Sequence, residues 1–198
     1  MPLRSRHPVE EPVVVRRATL ADTDLLVAHR LAMFREMGDH PARALARHAP
    51  AYVGWLVPRI ASGELVAWVA EDTKQRPLGS GAVWFQPSQP RPGFDDVRVP
   101  YVLSVYTDPR ARGRGIATTI VRRALALARR LGYARVTLHA SSQGRGVYER
   151  IGFERTTELR YWLDPAQQRR TDRKRAAEAA AAKRAAVRAK GRSVRART

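Results

Sequence analysis

Tyr106-Thr107-Asp108-Pro109-Arg110-Ala111-Arg112-Gly113-Arg114-Gly115-Ile116-Ala117-Thr118 is the stretch on which the reading of this 198-residue chain turns. It starts at the end of the most hydrophobic strand candidate, Tyr101 to Thr107. It runs into a helix whose apolar positions Ile116, Ile120, Val121, Ala124, Leu125, Ala128 and Leu131 keep a 3.6-residue period, with Gly132 as its stop. Strand, glycine turn, helix is a phosphate-cradle layout. The backbone N–H groups of Gly113 to Ala117 open outward at a helix N-terminus, where the dipole is positive, and Arg110, Arg112 and Arg114 stand nearby. A pyrophosphate suits such a turn. The dinucleotide fingerprint G-x-G-x-x-G is matched only by half: Thr118 occupies its sixth position, and no acidic residue lies between Asp108 and Glu149 to hold a ribose hydroxyl.

Outward from this turn the chain alternates strand and helix signals. Val13 to Arg17 reads as a first strand, and Thr19 and Asp22 are helix N-caps ahead of Leu25, Leu26, His29, Met33 and Phe34. Gly38 and Pro41 end that helix. A second helix carries Leu45, Tyr52, Leu56 and Ile60 and stops at Ser62-Gly63. Residues 65–70 and 78–85 read as a hairpin around the polar turn 72–77, and Pro87 to Pro92 as a surface loop. Beyond the glycine turn and its helix, Arg135 to Ala140 reads as a strand and Gly146 to Ile151 as a short helix. Gly152-Phe153 then leads into a final pair of strands ending near Leu163.

Composition excludes several classes. No apolar run approaches the ~18–20 residues that cross a bilayer, so no membrane span is expected. Met1 to His7 lacks the apolar region of a secretory signal. Zero Cys removes disulfide scaffolds, thiolate metal sites and cysteine nucleophiles, and the expected location is cytoplasmic. The five His (7, 29, 40, 48 and 139) show no ligand spacing, so no metal is expected; nor is there a G-x-x-x-x-G-K-[ST] loop, a G-x-S-x-G elbow or an H-E-x-x-H helix.

The formal charge of +19 is unevenly divided. Residues 165–198 hold 12 basic and 2 acidic groups, which leaves 25 against 16 in residues 1–164. The tail from Asp164 is rich in Ala, Arg and Lys, with no apolar residue larger than Val. It is expected to be a solvated extension, helical or disordered, because it cannot build a core. Its clustered arginines could contact a polyanion or nucleic acid, which would appear as steep salt dependence. It offers nothing to insert into a membrane. The expected organisation is a flexible N-terminus (1–12), one domain (13–163) and the basic tail (164–198).

Arg112-Gly113-Arg114-Gly115-Ile116-Ala117 also reads as R-x-x-G-x-A, which resembles the acetyl-CoA motif [QR]-x-x-G-x-[GA] of the GNAT (GCN5-related) N-acetyltransferases. Val105-Tyr106-Thr107-Asp108-Pro109 resembles that family's fourth strand. Leu138-His139-Ala140-Ser141, Gly144 and Tyr148-Glu149-Arg150-Ile151-Gly152-Phe153 resemble its fifth strand and fourth helix. The resemblance takes in the N-terminal Arg16 to Asp22 and the hairpin, so it covers roughly residues 13–163.

It implies an α/β (α+β) fold with a mixed, mostly antiparallel sheet of six to seven strands, helices on both faces, and fourth and fifth strands splayed apart. Acetyl-CoA would lie in the opening. Val105, Tyr106 and Thr107 would meet the pantetheine arm as an added strand does, and Arg112, Gly113, Arg114, Gly115, Ile116, Ala117 and Thr118 would hold the pyrophosphate. Ser141 stands where many members carry Asn, with Gly144 close by. The implied reaction is direct attack of a primary amine on the thioester, with the Val105 amide facing the developing oxyanion and Tyr148 protonating the departing thiolate.

The general base stays open among His139, Glu36, the Asp95-Asp96 pair and a chain of waters. Glu36, Asp39, Asp95 and Asp96 are expected to border the acceptor side and attract a protonated amine. The same fold would also serve a catalytically inactive acyl-CoA-binding or partner-binding module, and the basic tail a nucleic-acid-associated protein. The acceptor and the oligomeric state, a homodimer among the options, are not legible.

Overall fold

The β-branched pair Val14-Val15 begins strand β1 (Val14–Arg17), and Arg16 within it ties the strand to the start of the first helix. Its guanidinium donates to both Asp22 carboxylate oxygens, at 2.7 and 2.9 Å, and its Nε reaches Glu71 at 3.1 Å. Asp22 also accepts the Thr19 backbone N–H at 2.8 Å, half of a reciprocal cap on the single 3-10 turn Leu20–Asp22 that leads into helix α1 (Thr23–Met37). The Arg16 hydrogen bonds outweigh burial and, with Thr19, hold the Asp22 carboxyl at about 2. α1 ends at Gly38, whose φ of 71° gives the left-handed C-cap that glycine adopts without strain.

In the computed structural model, residues 11–38, 40–90, 92, 96–159 and 163–195 are described. The chain divides into two units, residues 1–152 and 153–198. After α1 the first unit contains α2 (Ala42–Ala61), β2 (Leu65–Glu71), β3 (Pro77–Pro87), β4 (Arg98–Thr107), α3 (Ile116–Arg130), β5 (Thr137–Leu138) and α4 (Arg145–Ile151). The sheet order is β1-β2-β3-β4-β5. All neighbours are antiparallel except β4 and β5, which are parallel.

Helices cover both faces. β2 is buried along nearly its whole length, so it alternates between two cores rather than between core and water. Leu65, Ala67 and Val69, with Ala82, pack with Leu26 and Val27 of α1 and Tyr52 and Leu56 of α2. Each large side chain fully buried there contributes roughly 1.5–3 kcal/mol. On the opposite face α3 lies on β3. A Cβ on Gly79 would stand 2.6 Å from the Tyr106 carbonyl oxygen and 3.0 Å from Ile116, and one on Gly81 would stand 2.8 Å from Ile120. These two glycines let strand β4 and helix α3 approach as closely as they do.

The second unit departs from expectation. Residues 153–159 form no strand, and 160–162 lie outside the described residues, so the final strand pair is not formed in the described part and the sheet has five strands there rather than six or seven. The physical reason is visible in the sequence: no Gly, Pro, Asn or Asp falls between Phe153 and Leu163 to reverse the chain. Pro165–Arg195 is one helix, α5.

Candidate functional site

β4 decides the site. On its β3 side the register passes from Ser80↔Tyr106 to Ala82↔Leu103, so Ser104 and Val105 form a bulge opposite Gly81. Ser104 takes φ 52°, a left-handed conformation unusual for a residue with a side chain. On its other side β4 pairs with β5 only at Tyr101↔Thr137 and Val102↔Leu138. From Leu103 to Thr107 the strand therefore has no partner on β5. The expected splay of the fourth and fifth strands is present, and β5 is shorter than the six residues the sequence suggested.

A cavity of about 980 Å³ opens along that free edge. Val105, Tyr106 and Thr107 line it from β4, and Arg112, Gly113, Gly115, Ile116, Ala117 and Thr118 from the glycine turn. Gly113 (φ 83°) and Gly115 (φ 74°) are both left-handed, and a Cβ at either would meet open space, so the turn needs them for conformation and not for room. Gly115 is the N-cap of α3. Among the described residues, no backbone acceptor takes the N–H groups of Gly113, Arg114, Gly115, Ile116, Ala117 or Thr118.

Each of the three arginines of the turn has a partner within the protein. Arg110 pairs with Asp108, Arg112 with Glu36, and Arg114 donates to the Glu11 carbonyl oxygen. Only Arg112 of the three lines the cavity. A short span of chain aims its backbone inward, whereas exposed guanidinium groups turn toward whatever acceptor lies nearest.

α4 forms the facing wall. Ser141 Oγ accepts the Gly144 N–H at 3.1 Å and helps start the helix, and its own proton stays available to a ligand acceptor. A Cβ on Gly144 would sit 3.2 Å from the Tyr148 ring, so this glycine makes room for that ring. Ser141, Gly144 and Tyr148 all line the cavity. Burial pushes the Tyr148 phenol above its ordinary range, with Tyr101 adding to the effect, so it is protonated at neutral pH. Where β4 and β5 separate, the Tyr101 hydroxyl and His139 Nδ1 are 2.5 Å apart.

Of the acceptor-side carboxylates, the structure describes Glu36 and Asp96. Glu36 does line the cavity, but its carboxylate is held by Arg112 and is not open to an incoming ammonium group. Asp96 is exposed and is not among the cavity residues, and Asp39 and Asp95 lie outside the described residues. In their place stands a group the sequence reading passed over: Arg30, Phe34, Tyr52, Trp55 and Trp84. Arg30 follows Leu26 by four residues on the apolar stripe of α1, and a charge on such a stripe was the available signal.

Acetyl-CoA can be tested against orphaned polar atoms. Four buried side-chain atoms lack a hydrogen-bond partner among the described residues, and three belong to cavity residues: Thr107 Oγ1, Trp84 Nε1 and Arg30 Nε. With the unpaired strand edge and the orphan amides, the wall offers an extended acyl-carrier arm and a pyrophosphate their complementary groups.

A mixed sheet opened between two parallel strands, with an amide-rich turn at the mouth, is the frame of the site. The sequence profile of the Acetyltransferase (GNAT) family matches residues 28–153, and the chain belongs to that family. A GCN5-related N-acetyltransferase from Ralstonia eutropha JMP134 has a similar structure, with TM-score 0.71 and 33% identity over 77% of this chain and 99% of that one. A predicted acetyltransferase from Clostridium acetobutylicum, solved with acetyl-CoA, gives TM-score 0.68 and 29% identity over 77% and 95%. An uncharacterized N-acetyltransferase of Methanocaldococcus jannaschii is 28% identical over 118 residues, 57% of this chain and 48% of that protein. The chain thus spans about half the length of that curated relative. Among the described residues, no helix is long and apolar enough to cross a membrane.

Proposed function

We propose that the protein is an acetyl-CoA-dependent N-acetyltransferase that moves the acetyl group directly to a primary amine. The observation that carries this reading is the unpaired β4 edge, Leu103 to Thr107, facing Tyr148 across the cavity. In it, Val105 to Thr107 bind the pantetheine arm edge to edge, and the amides of residues 112–118 take the pyrophosphate together with the single inward arginine, Arg112. Ser141 donates to the arm. Acetyl-CoA supplies the activated acyl carbon.

The amine nitrogen bonds to that carbon as the carbon–sulfur bond breaks. The Val105 N–H faces the carbonyl oxygen as charge builds on it, and the bulge at Ser104 turns this part of β4 away from its sheet partner. Tyr148 gives its proton to the sulfur. A phenol raised by burial is a weak acid, but the same burial raises the basicity of a thiolate, so the transfer stays near balance. The amine's proton leaves by His139, whose ring Tyr101 positions. Release of CoA thiol with amines over a no-amine baseline tests the reading; binding of acetyl-CoA with no release for any amine would refute it.

A further inference from the structure

Arg30 has no part in the transfer step. Its guanidinium lies 4.4 Å from the Tyr52 ring centroid and 4.8 Å from that of Phe34, and its Nη1 donates to Ser104 Oγ at 2.7 Å. Ser104 is the left-handed residue of the bulge, one position before Val105. Three other arginines of this unit are held by carboxylates: Arg16 has Asp22 and Glu71, Arg59 has Glu64, and Arg112 has Glu36. Arg30 has none among the described residues. Burial disfavours its charge, and its Nε is left without an acceptor.

The cavity around it is cationic and apolar. Glu36, already held by Arg112, is the only acid among the described lining residues, and Arg30, Arg112 and Arg150 are the fixed cations. From Tyr52 an aromatic row continues to Trp55, stacked at 5.9 Å, and Trp84, edge-on at 5.2 Å, and the Trp84 Nε1 is a second donor without a partner. Among the described lining residues a polyamine or other polycation finds no free carboxylate. An anion attached to an apolar body finds both of its complements.

We infer that Arg30 forms an oxyanion subsite for a carboxylate carried by the amine acceptor, which makes the acceptor class a zwitterionic amino acid with a bulky apolar side chain. The inference rests on the transferase reading. Because Arg30 touches the residue before Val105, the carboxylate must lie within a few bonds of the attacking nitrogen, as in an α-amino acid. The side chain then lies along Phe34, Trp55 and Trp84. A carboxylate on the acyl group of the donor has the same chemistry, and a second acyl donor in the assay separates the two sources.

The full chain is assayed for thiol release with acetyl-CoA and the matched amines L-phenylalanine and phenethylamine, with spermidine as polycation and succinyl-CoA as an alternative donor. The expected kcat/KM ratio of phenylalanine to phenethylamine is roughly 100 or more, since a site built for a polar group rejects the analogue lacking it. Arg30→Met should lower that ratio at least ~10-fold and Arg30→Lys should restore part of it. A ratio near one, a preference for spermidine, a ratio unmoved in Arg30→Met, or Arg30 dependence confined to succinyl-CoA overturns the inference.

Calorimetry of N-acetyl-L-phenylalanine and N-acetylphenethylamine against the CoA-saturated protein reads the subsite without turnover. Carboxylate-dependent, Arg30-dependent binding with no thiol release for any amine would sink the transferase reading and leave the subsite standing. Turnover without carboxylate preference would do the reverse.

Discussion

The two halves of the cavity are made of different material. The half at the glycine turn is backbone: the free edge of β4 and a run of amides with no internal acceptor. The half under α1 and α2 is side chain: Arg30, three aromatic residues of those helices, and Trp84 from β3. Backbone offers the same donors whatever the residue, provided glycine permits the turn, so that half suits an invariant co-substrate. Side chains can be exchanged singly, so the other half suits the proposed role of choosing the amine.

The largest effect expected from testing this contrast is at Tyr148, where the two halves meet. Tyr148→Phe should lower kcat by roughly 10²–10³ while acetyl-CoA affinity, measured by calorimetry, stays within about twofold. An equal loss in both would move Tyr148 from proton donor to wall. Next comes the backbone half. Gly115→Ala forces a Cβ into φ 74° at a cost of about 1–2 kcal/mol, and acetyl-CoA should bind about tenfold more weakly, with the loss equal for every amine used.

The frame that both halves share should respond to acid. Asp22 has its carboxyl near 2 in the folded protein against an ordinary 3.8, so its contribution is fully present above about pH 4 and is lost as pH falls through 2. Because Arg16 is partly exposed, about 1 kcal/mol is expected, and chemical denaturation of Asp22→Asn should lack that acid slope. The smallest effect belongs to the bridge between the halves. Glu36→Gln frees Arg112, and acetyl-CoA should bind about threefold more tightly with a steeper salt dependence.

The same contrast explains what was legible in the sequence. Gly113 and Gly115 after Thr107 and the helix period from Ile116 follow from local sterics within a dozen residues, and the structure has both glycines left-handed ahead of a helix that starts at Ile116. The Ser104 bulge is not local: it depends on Gly79 and Gly81, more than twenty residues earlier, leaving room beneath β4. Glu36 looked like a free carboxylate because its partner stands 76 residues away. Arg30 looked like one more arginine among many, and only the rings of Phe34 and Tyr52 show that its head turns inward. The strand pair expected after Phe153 is not formed in the described residues 153–159, and the lack of a turn residue before Leu163 is a local signal against it.

An unpaired strand edge is ordinarily a hazard, since any extended peptide can add to it and seed aggregation. In this protein the exposed donors and acceptors of Leu103 to Thr107 sit at the floor of a cleft walled by α4 and roofed by residues of α1 and α2. A peptide adding to this edge would have to seat its own side chains against those walls, a demand that an open sheet edge does not make. Recessing the edge thus keeps an obligatory set of unpaired backbone groups away from neighbouring molecules.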